Sequence, residues 1–208
     1  MTEGSFTPVS TRGIQNVANC CDKREEIIKA SLDLIAEHGF HGAPMAMIAE
    51  QAGVAAGTIY RYFENKDALI VALFREIDEK IGAVIMQDYQ KQKPIRERFH
   101  HIFTRLLRYF IANPQHFRYM EQFHNSPYGV AFRRDIIQRK TGDCYIYRDL
   151  LEEGMAQQVI KDLPMPILFA LAFGPLKAVV RDHILGFITL DDIIIDRIME
   201  ACWDGIRR

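Results

Sequence analysis

Residues 45–63 read MAMIAEQAGVAAGTIYRYF, and this stretch decides the fold. Apolar residues recur at helical spacing on both sides of Gly53, which predicts two short helices, Met45–Ala52 and Ala56–Phe63, joined by a sharp turn. Gly53 can supply the positive φ that such a turn needs, and Ala49 is small where the second helix comes closest. The stretch is therefore typical of a helix-turn-helix.

The second of these helices carries a polar face. If Ile59 and Phe63 point into the core, the opposite face projects outward with the helix N-terminus leading, as in helices that enter the major groove of DNA. A plain structural hairpin remains open, because any pair of apolar helices can place a glycine between them. The candidate DNA-contacting residues are Ala46, Ala56, Gly57, Thr58, Tyr60, Arg61, Tyr62 and Lys66.

Helical periodicity continues on both sides of this stretch, and no alternating pattern indicates a sheet. A first helix is predicted from Asp22 to His38 and ends at Gly39, while Asn65 is placed to cap a long connecting helix. The inward stripe of the connecting helix comprises Leu69, Leu73, Ile77, Ile81 and Ile85. Pro94 opens the next helix and Asn113-Pro114 ends it. Further helices are predicted at Gln115–His124, Val130–Gln157 after a break at Gly129, Pro166–Leu185 and Leu190–Ile206; the predicted inward face of Val130–Gln157 comprises Ile136, Ile137, Cys144, Tyr147 and Leu151.

The predicted fold is all-α, with an N-terminal three-helix helix-turn-helix DNA-binding domain and a larger helical domain. We expect a mobile N-terminal arm over residues 1–21, the helix-turn-helix domain over 22–66 and the larger domain over 67–208.

Composition limits the classes of protein that are possible. Hydrophobic residues make up 49% of the 208 and charged residues 25%, which excludes wholesale disorder. The net charge is −1, so a general basic coat cannot attract nucleic acid. The four scattered cysteines favour a reducing cytoplasm, no secretory signal is visible, and the apolar stretch Leu163–Leu176 is too short for a bilayer span. We therefore expect a cytoplasmic protein without a membrane partner.

Several short motifs resemble the N-terminal signature of the TetR/AcrR-like family of bacterial transcriptional regulators, over about 45 of the 208 residues. They are Gly39-Phe40, Ile48-Ala49, Ala52-Gly53-Val54, Gly57-Thr58-Ile59-Tyr60, Tyr62-Phe63 and Lys66-x-x-Leu69. The resemblance implies a homodimeric regulator, most often a repressor, that binds double-stranded operator DNA and responds to a small-molecule effector. It also implies that the larger helical domain is the effector-binding and dimerisation domain.

The resemblance also implies roles for single residues. Thr58 would contact base edges or phosphate, Tyr60 and Lys66 would each bind a phosphate, and Tyr62 would lie against the DNA backbone or bases. Arg61 stands at a variable position, where its planar guanidinium matches the O6 and N7 atoms of guanine. Structural roles stay open for each: capping by Thr58, packing by Tyr60 and a solvated charge at Lys66.

Two features lower the expected affinity for DNA. Pro44 and Ala55 stand where the family usually places capping hydroxyl residues, and the loss of an N-cap costs about 1 kcal/mol. Residues 22–66 carry five cations and seven anions, a net charge of −2. We therefore expect modest affinity and a small salt dependence.

Aromatic residues are dense between Phe99 and Tyr147, and an apolar effector pocket is one reading of them; ordinary core packing is the other. The candidate effector-binding residues are Phe103, Phe110, Tyr119, Phe123, Tyr128, Phe132 and Tyr147. The expected effector is small and either hydrophobic or aromatic.

Small residues recur every four positions in the penultimate helix, which permits close approach of a second helix. A symmetric four-helix interface between two copies is the reading that we adopt, with an internal core helix as the alternative. The candidate interface residues are Ala170, Gly174, Ala178, Ile194, Ile198 and Cys202.

Catalytic and metal-binding chemistry finds no support in the motifs. No nucleophile and base, phosphate loop or metal-ligand spacing can be assembled, so we predict no catalytic residues, no metal and no cofactor. A small all-α enzyme, or a binding protein that uses the same pocket without DNA, is the alternative class.

Overall fold

The computed structural model describes residues 11–137 and 145–208 and is all-α, as predicted. Its ten helices over these residues are α1 (Thr11–Gly42), α2 (Met45–Gln51), α3 (Ala56–Tyr62), α4 (Lys66–Met86), α5 (Ile95–Ala112), α6 (Pro114–His124), α7 (Pro127–Ile137), α8 (Tyr145–Ala156), α9 (Met165–Ile184) and α10 (Asp192–Ile206).

Helix α1 begins at Thr11, eleven residues before the predicted start at Asp22. Residues 11–21 of the predicted arm therefore belong to α1, and residues 1–10 lie outside the described residues. Gly39 interrupts α1 with φ 76° and ψ 174°, so the predicted break occurs there and one more helical turn follows it.

Helices α2 and α3 meet at the turn that the sequence predicted. Gly53 has φ 63°, and the backbone N–H of Val54 donates to the carbonyl of Ala49 at 2.9 Å. Ile48 and Ile59 are fully buried between the helices. The apolar spacing and the glycine together produce the helix-turn-helix.

Helix α4 begins after the predicted cap, since the N–H of Ala68 donates to Oδ1 of Asn65 at 2.8 Å. All five residues of its predicted inward stripe are buried. The chain divides into two compact units between Leu73 and Phe74, seven residues after the predicted division. The first two turns of α4 thus belong to the N-terminal unit, where Leu69 and Ile70 are buried.

The second unit is built around α5, which packs against α8, α9 and α10. Its predicted inward residues Phe99, Phe103, Leu106 and Phe110 are all buried. Helix α9 buries Leu168, Ala172, Leu176 and Val180 on the side that faces the unit's interior. Every helix within the described ranges is too short or too polar to cross a bilayer.

The prediction of one helix over Val130–Gln157 is wrong. Two helices, α7 and α8, occupy this region, and Gly129 lies inside α7 rather than at a break. A Cβ at Gly129 would lie 2.2 Å from the carbonyl oxygen of Phe123, so the glycine allows α7 to approach the end of α6 closely. On the predicted inward face, Tyr147 and Leu151 are buried, while Ile136, Ile137 and Cys144 lie outside the described side chains.

Candidate nucleic-acid interface

Helix α3 presents the predicted polar face. Ile59 is fully buried and Phe63 is 5% exposed, so the opposite face of the helix is turned to solvent. Tyr60 is 56% exposed. Of the other predicted contact residues, Ala46, Ala56, Gly57 and Arg61 are exposed and Thr58, Tyr62 and Lys66 are half-buried.

The missing capping hydroxyls affect both helices of the motif. Pro44 and Ala55 occupy the N-cap positions of α2 and α3, and neither helix has a side-chain cap. The first N–H groups of both helices therefore lack a side-chain acceptor within the described residues, and such groups are free to bind phosphate oxygens.

Two arginines lie against aromatic rings at the end of α3. The guanidinium carbon of Arg61 is 6.0 Å from the centroid of the Tyr62 ring, and that of Arg24 is 5.6 Å from the centroid of the Phe63 ring. Arg24, on α1, is a cation that the sequence analysis did not connect with the motif. Nothing in its local sequence signals this, because the contact joins residues 39 positions apart.

The side chain of Lys66 forms a hydrogen bond within the N-terminal unit. Its ammonium donates to the backbone carbonyl of Phe40, at the end of α1. Burial lowers the pKa of this ammonium, while the neighbouring carboxylate of Asp67 opposes the shift. Lys66 therefore has a structural role through its hydrogen bond to Phe40. A phosphate contact by Lys66 stays a prediction.

Family comparison agrees with this geometry. Residues 27–73 match the family described as "Bacterial regulatory proteins, tetR family", and residues 94–207 match "Tetracyclin repressor-like, C-terminal domain". The chain belongs to the TetR family. It is thus a DNA-binding transcriptional regulator, and the predictions of the family and of a regulator rather than an enzyme are confirmed.

Relatives match over nearly the whole length of this TetR family regulator. The fatty acid metabolism regulator protein of Bacillus subtilis is 27% identical, over 88% of this chain and 95% of its own. A solved TetR family protein from Vibrio parahaemolyticus is 31% identical with a TM-score of 0.71, covering 89% and 99% of the two chains. FadR from Bacillus subtilis, solved in complex with stearoyl-CoA, is 22% identical with a TM-score of 0.70, covering 88% and 99%, and shows the shared fold.

In the second unit, the seven predicted effector-binding residues are not brought together. The Phe123 ring lies 6.3 Å from those of Tyr119, Tyr128 and Phe132. The rings of Phe103 and Tyr147 lie 5.9 Å apart in a separate group, and Phe110 packs against Phe117. Five of the seven are buried, which is how core aromatics are placed; Tyr128 and Phe132 are half-buried.

Two surface cavities of the second unit are lined by other residues. One of about 320 Å³ is lined by charged and polar residues, which include Arg98, His100 and Glu200; another of about 350 Å³ includes Gln115 and His183. None of the seven predicted residues lines either cavity. The assignment of these seven residues to an effector pocket stays a prediction.

The predicted interface residues divide into two groups. Ala170, Ala178 and Ile194 are exposed and Gly174 and Ile198 are half-buried, so these five are accessible to a second copy. Cys202 is the exception, since it is only 2% exposed. Its assignment to the interface is corrected, because position 202 falls on the side of α10 that packs against the core with Met199 and Ile206.

Sequence reasoning already placed Ile167 and Leu171 beside the small residues of the penultimate helix, but it missed Ala201 and Gly205 on α10. Ile167 and Leu171 are 47% and 38% exposed and lie on α9 in line with Gly174 and Ala178. Ala201 and Gly205 extend the α10 row that begins with Ile194 and Ile198. Their spacing of three and four residues indicates that they share a helix face. The same spacing is also found in a face that packs against the core, so it does not identify an interface.

Proposed function

We propose that this TetR family regulator is a homodimeric repressor that leaves its operator when an amphipathic ligand binds within residues 74–208. The observation that carries DNA reading is the outward face of α3, where Tyr60 and Arg61 are exposed on a helix anchored by the buried Ile59. This is the placement that a recognition helix requires.

Dimerisation through α9 and α10 is supported by the character of their accessible stripes. On α9, Ile167 and Leu171 lie in line with the small residues Gly174 and Ala178. A Cβ at Gly174 would meet nothing within 4 Å, so this surface is open in the single chain. Apolar surface combined with small side chains allows close, self-complementary helix packing about a two-fold axis.

A ligand with an acyl chain is the effector class that we propose. Two observations support it: the name of the Bacillus subtilis relative, a fatty acid metabolism regulator, and the stearoyl-CoA bound to the FadR of similar fold. An effector moves the equilibrium towards the DNA-free state of the regulator only if it binds that state more tightly than the DNA-bound state.

Selection of bound sequences from a random DNA pool tests this proposal, followed by gel shift with the selected duplex. We expect a sequence with two-fold symmetry, retarded at low salt and released by stearoyl-CoA. The matched comparison is the Arg61→Ala, Tyr60→Phe double variant, which should bind the selected duplex more weakly and lose the preference at the base pair that Arg61 contacts. Failure of the purified dimer to enrich any sequence would refute the DNA-reading part, and persistence of the complex with stearoyl-CoA would refute the effector part.

A further inference from the structure

We propose that the cavity between the ends of α5 and α9 and the start of α6 binds a small apolar carboxylate that also carries an N–H donor. An N-acylated aliphatic amino acid has this chemistry. We call this cavity the corner site, and its described lining comprises Ile111, Pro114, Gln115, Arg118, His183 and Ile184. The predicted effector-binding residues lie elsewhere, so this inference goes beyond the proposed function.

The corner site has the dimensions of a small-molecule site. Its volume of about 350 Å³ falls within the range of ligand pockets, which begins at roughly 300 Å³. Ile111 lies in the last turn of α5, Ile184 ends α9, and the remaining α6 residues belong to the first two turns of that helix. Three helices of the second unit therefore contribute to one cavity.

The charge of the lining favours an anion. Arg118 contributes a guanidinium, and none of the six described lining residues is a carboxylate. Two other arginines, Arg108 on α5 and Arg181 on α9, pair with Asp192 and Glu121. Arg118 is exposed and has no carboxylate within 4.0 Å among the described residues. Its planar guanidinium matches the two oxygens of a carboxylate.

The start of α6 adds a backbone donor for the same anion. Asn113 occupies the N-cap position, but its amide donates to the carbonyl of Tyr109 at 2.8 Å and does not cap the helix. Pro114 has no N–H, so the N–H of Gln115 is the first backbone donor of α6. Helix N-termini favour negative charge, and Gln115 and Arg118 share a face because they are three residues apart.

Two further side chains of the lining supply hydrogen-bond acceptors. The carboxamide oxygen of Gln115 is buried and has no hydrogen-bond partner among the described residues, which is costly for a polar atom. The last torsion of a glutamine is broad, so this amide can turn to a donor in the cavity that it lines. Nδ1 of His183 donates to the carbonyl of Ile188 at 3.2 Å, which leaves Nε2 of the neutral ring as an acceptor.

Apolar side chains complete the corner site. Ile111 and Ile184 are half-buried and Pro114 is exposed, so all three retain accessible apolar surface. An aliphatic group gains free energy by covering that surface. The lining thus combines one cation, two acceptors and an apolar wall, and the matching ligand combines a carboxylate, an N–H group and an aliphatic group.

Calorimetric titration of the protein with four probes tests the inference, because three of them each lack one group of the first, N-acetylleucine. N-acetylleucinamide lacks the negative charge, 4-methylpentanoate lacks the N–H, and N-acetylglycine lacks the aliphatic side chain. We expect N-acetylleucine to bind more tightly than each of the other three, and roughly tenfold or more tightly than the uncharged amide.

Substitutions in the lining locate the binding. Arg118→Gln should remove the preference for N-acetylleucine over its amide, whereas Arg118→Lys, which retains the charge, should keep part of it. The control Arg75→Gln, exposed on α4 and outside the lining, should preserve the whole preference. Gln115→Leu should remove the difference between N-acetylleucine and 4-methylpentanoate. Melting temperatures measured by circular dichroism show that each variant is folded.

The inference is overturned if N-acetylleucine does not bind, if its uncharged amide binds as tightly, or if folded Arg118→Gln keeps the preference for the anion. Equal binding of 4-methylpentanoate and N-acetylleucine would show that the N–H requirement is wrong. Loss of the preference in Arg118→Gln together with its retention in Arg75→Gln supports the corner site.

Discussion

The ammonium of Lys66 donates a hydrogen bond to the backbone carbonyl of Phe40, which joins the first turn of α4 to the end of α1. Phe40 follows Gly39, where the positive φ interrupts the helix. The two motifs, 26 residues apart in sequence, therefore meet in the N-terminal unit and close it around α2 and α3.

Lys66→Met should destabilise this unit. The carbonyl of Phe40 would lose its charged donor, at a cost of about 1–2 kcal/mol in the free energy of unfolding. Chemical denaturation at fixed protein concentration measures this, with Lys29→Met at an exposed site of α1 as the control. An unchanged midpoint would contradict the structural role. If the slope of log K against log salt for operator binding also decreased by about 0.9, the predicted phosphate contact of Lys66 would be supported.

Tyr60 and Arg61 should differ in what they contribute to DNA binding. Tyr60→Phe removes one hydroxyl and should weaken binding to all sequences alike, by about 1 kcal/mol. Arg61→Ala should instead relax the preference at one base pair, by about 1–3 kcal/mol. Competition binding with single-base variants of the operator distinguishes them. If Arg61→Ala weakened all variants equally, the guanidinium would be a phosphate contact rather than a base contact.

Gly174→Trp should convert the proposed dimer into a folded monomer. The open space around the Gly174 Cβ position allows the indole to fit the single chain but not a close helix–helix interface. Light scattering after gel filtration reports the mass. Gly82→Trp, at a glycine of α4 that is equally open, should remain dimeric. A dimeric Gly174→Trp protein would argue against the α9 interface.

Arg98 should show the behaviour of a buried charge. Its side chain is 2% exposed, and it donates to Glu153 at 2.8 Å and to the hydroxyl of Tyr89 at 2.9 Å. Glu153→Leu should cost about 2–3 kcal/mol because it leaves the buried guanidinium without its carboxylate. The Arg98→Met, Glu153→Leu double variant should recover part of that loss. Denaturant unfolding measures the free energy of unfolding of both variants. If the single and the double variant lost the same stability, Arg98 would not behave as a buried charge.

Stability should fall as the pH drops below about 6.5. Burial lowers the pKa of His124 to about 4 and also lowers the pKa values of His100 and His116. Below about pH 6.5 the unfolded chain binds protons at these histidines while the folded chain does not, so unfolding is favoured as the pH falls towards 4. Melting temperatures between pH 8 and 4.5 should show this. His124→Gln should flatten the profile, and the exposed control His41→Gln should preserve it.

The sequence by itself determined the helix-turn-helix and most helix positions. Gly53, the buried Ile59 and the cap at Asn65 act within a few residues of their own positions, so local spacing contains the information. The stripe on α4 was predictable for the same reason, because one face of a helix recurs every three or four residues.

Only the tertiary structure decided which element of the protein packs against each helix face. Gly129 looked like a helix break and proved to be a close-packing site against Phe123, and Cys202 looked accessible and proved to be core. The partner of Lys66 is a carbonyl 26 residues away. Periodicity specifies which residues share a face, but the element that packs against that face is set by long-range contacts that local sequence does not encode.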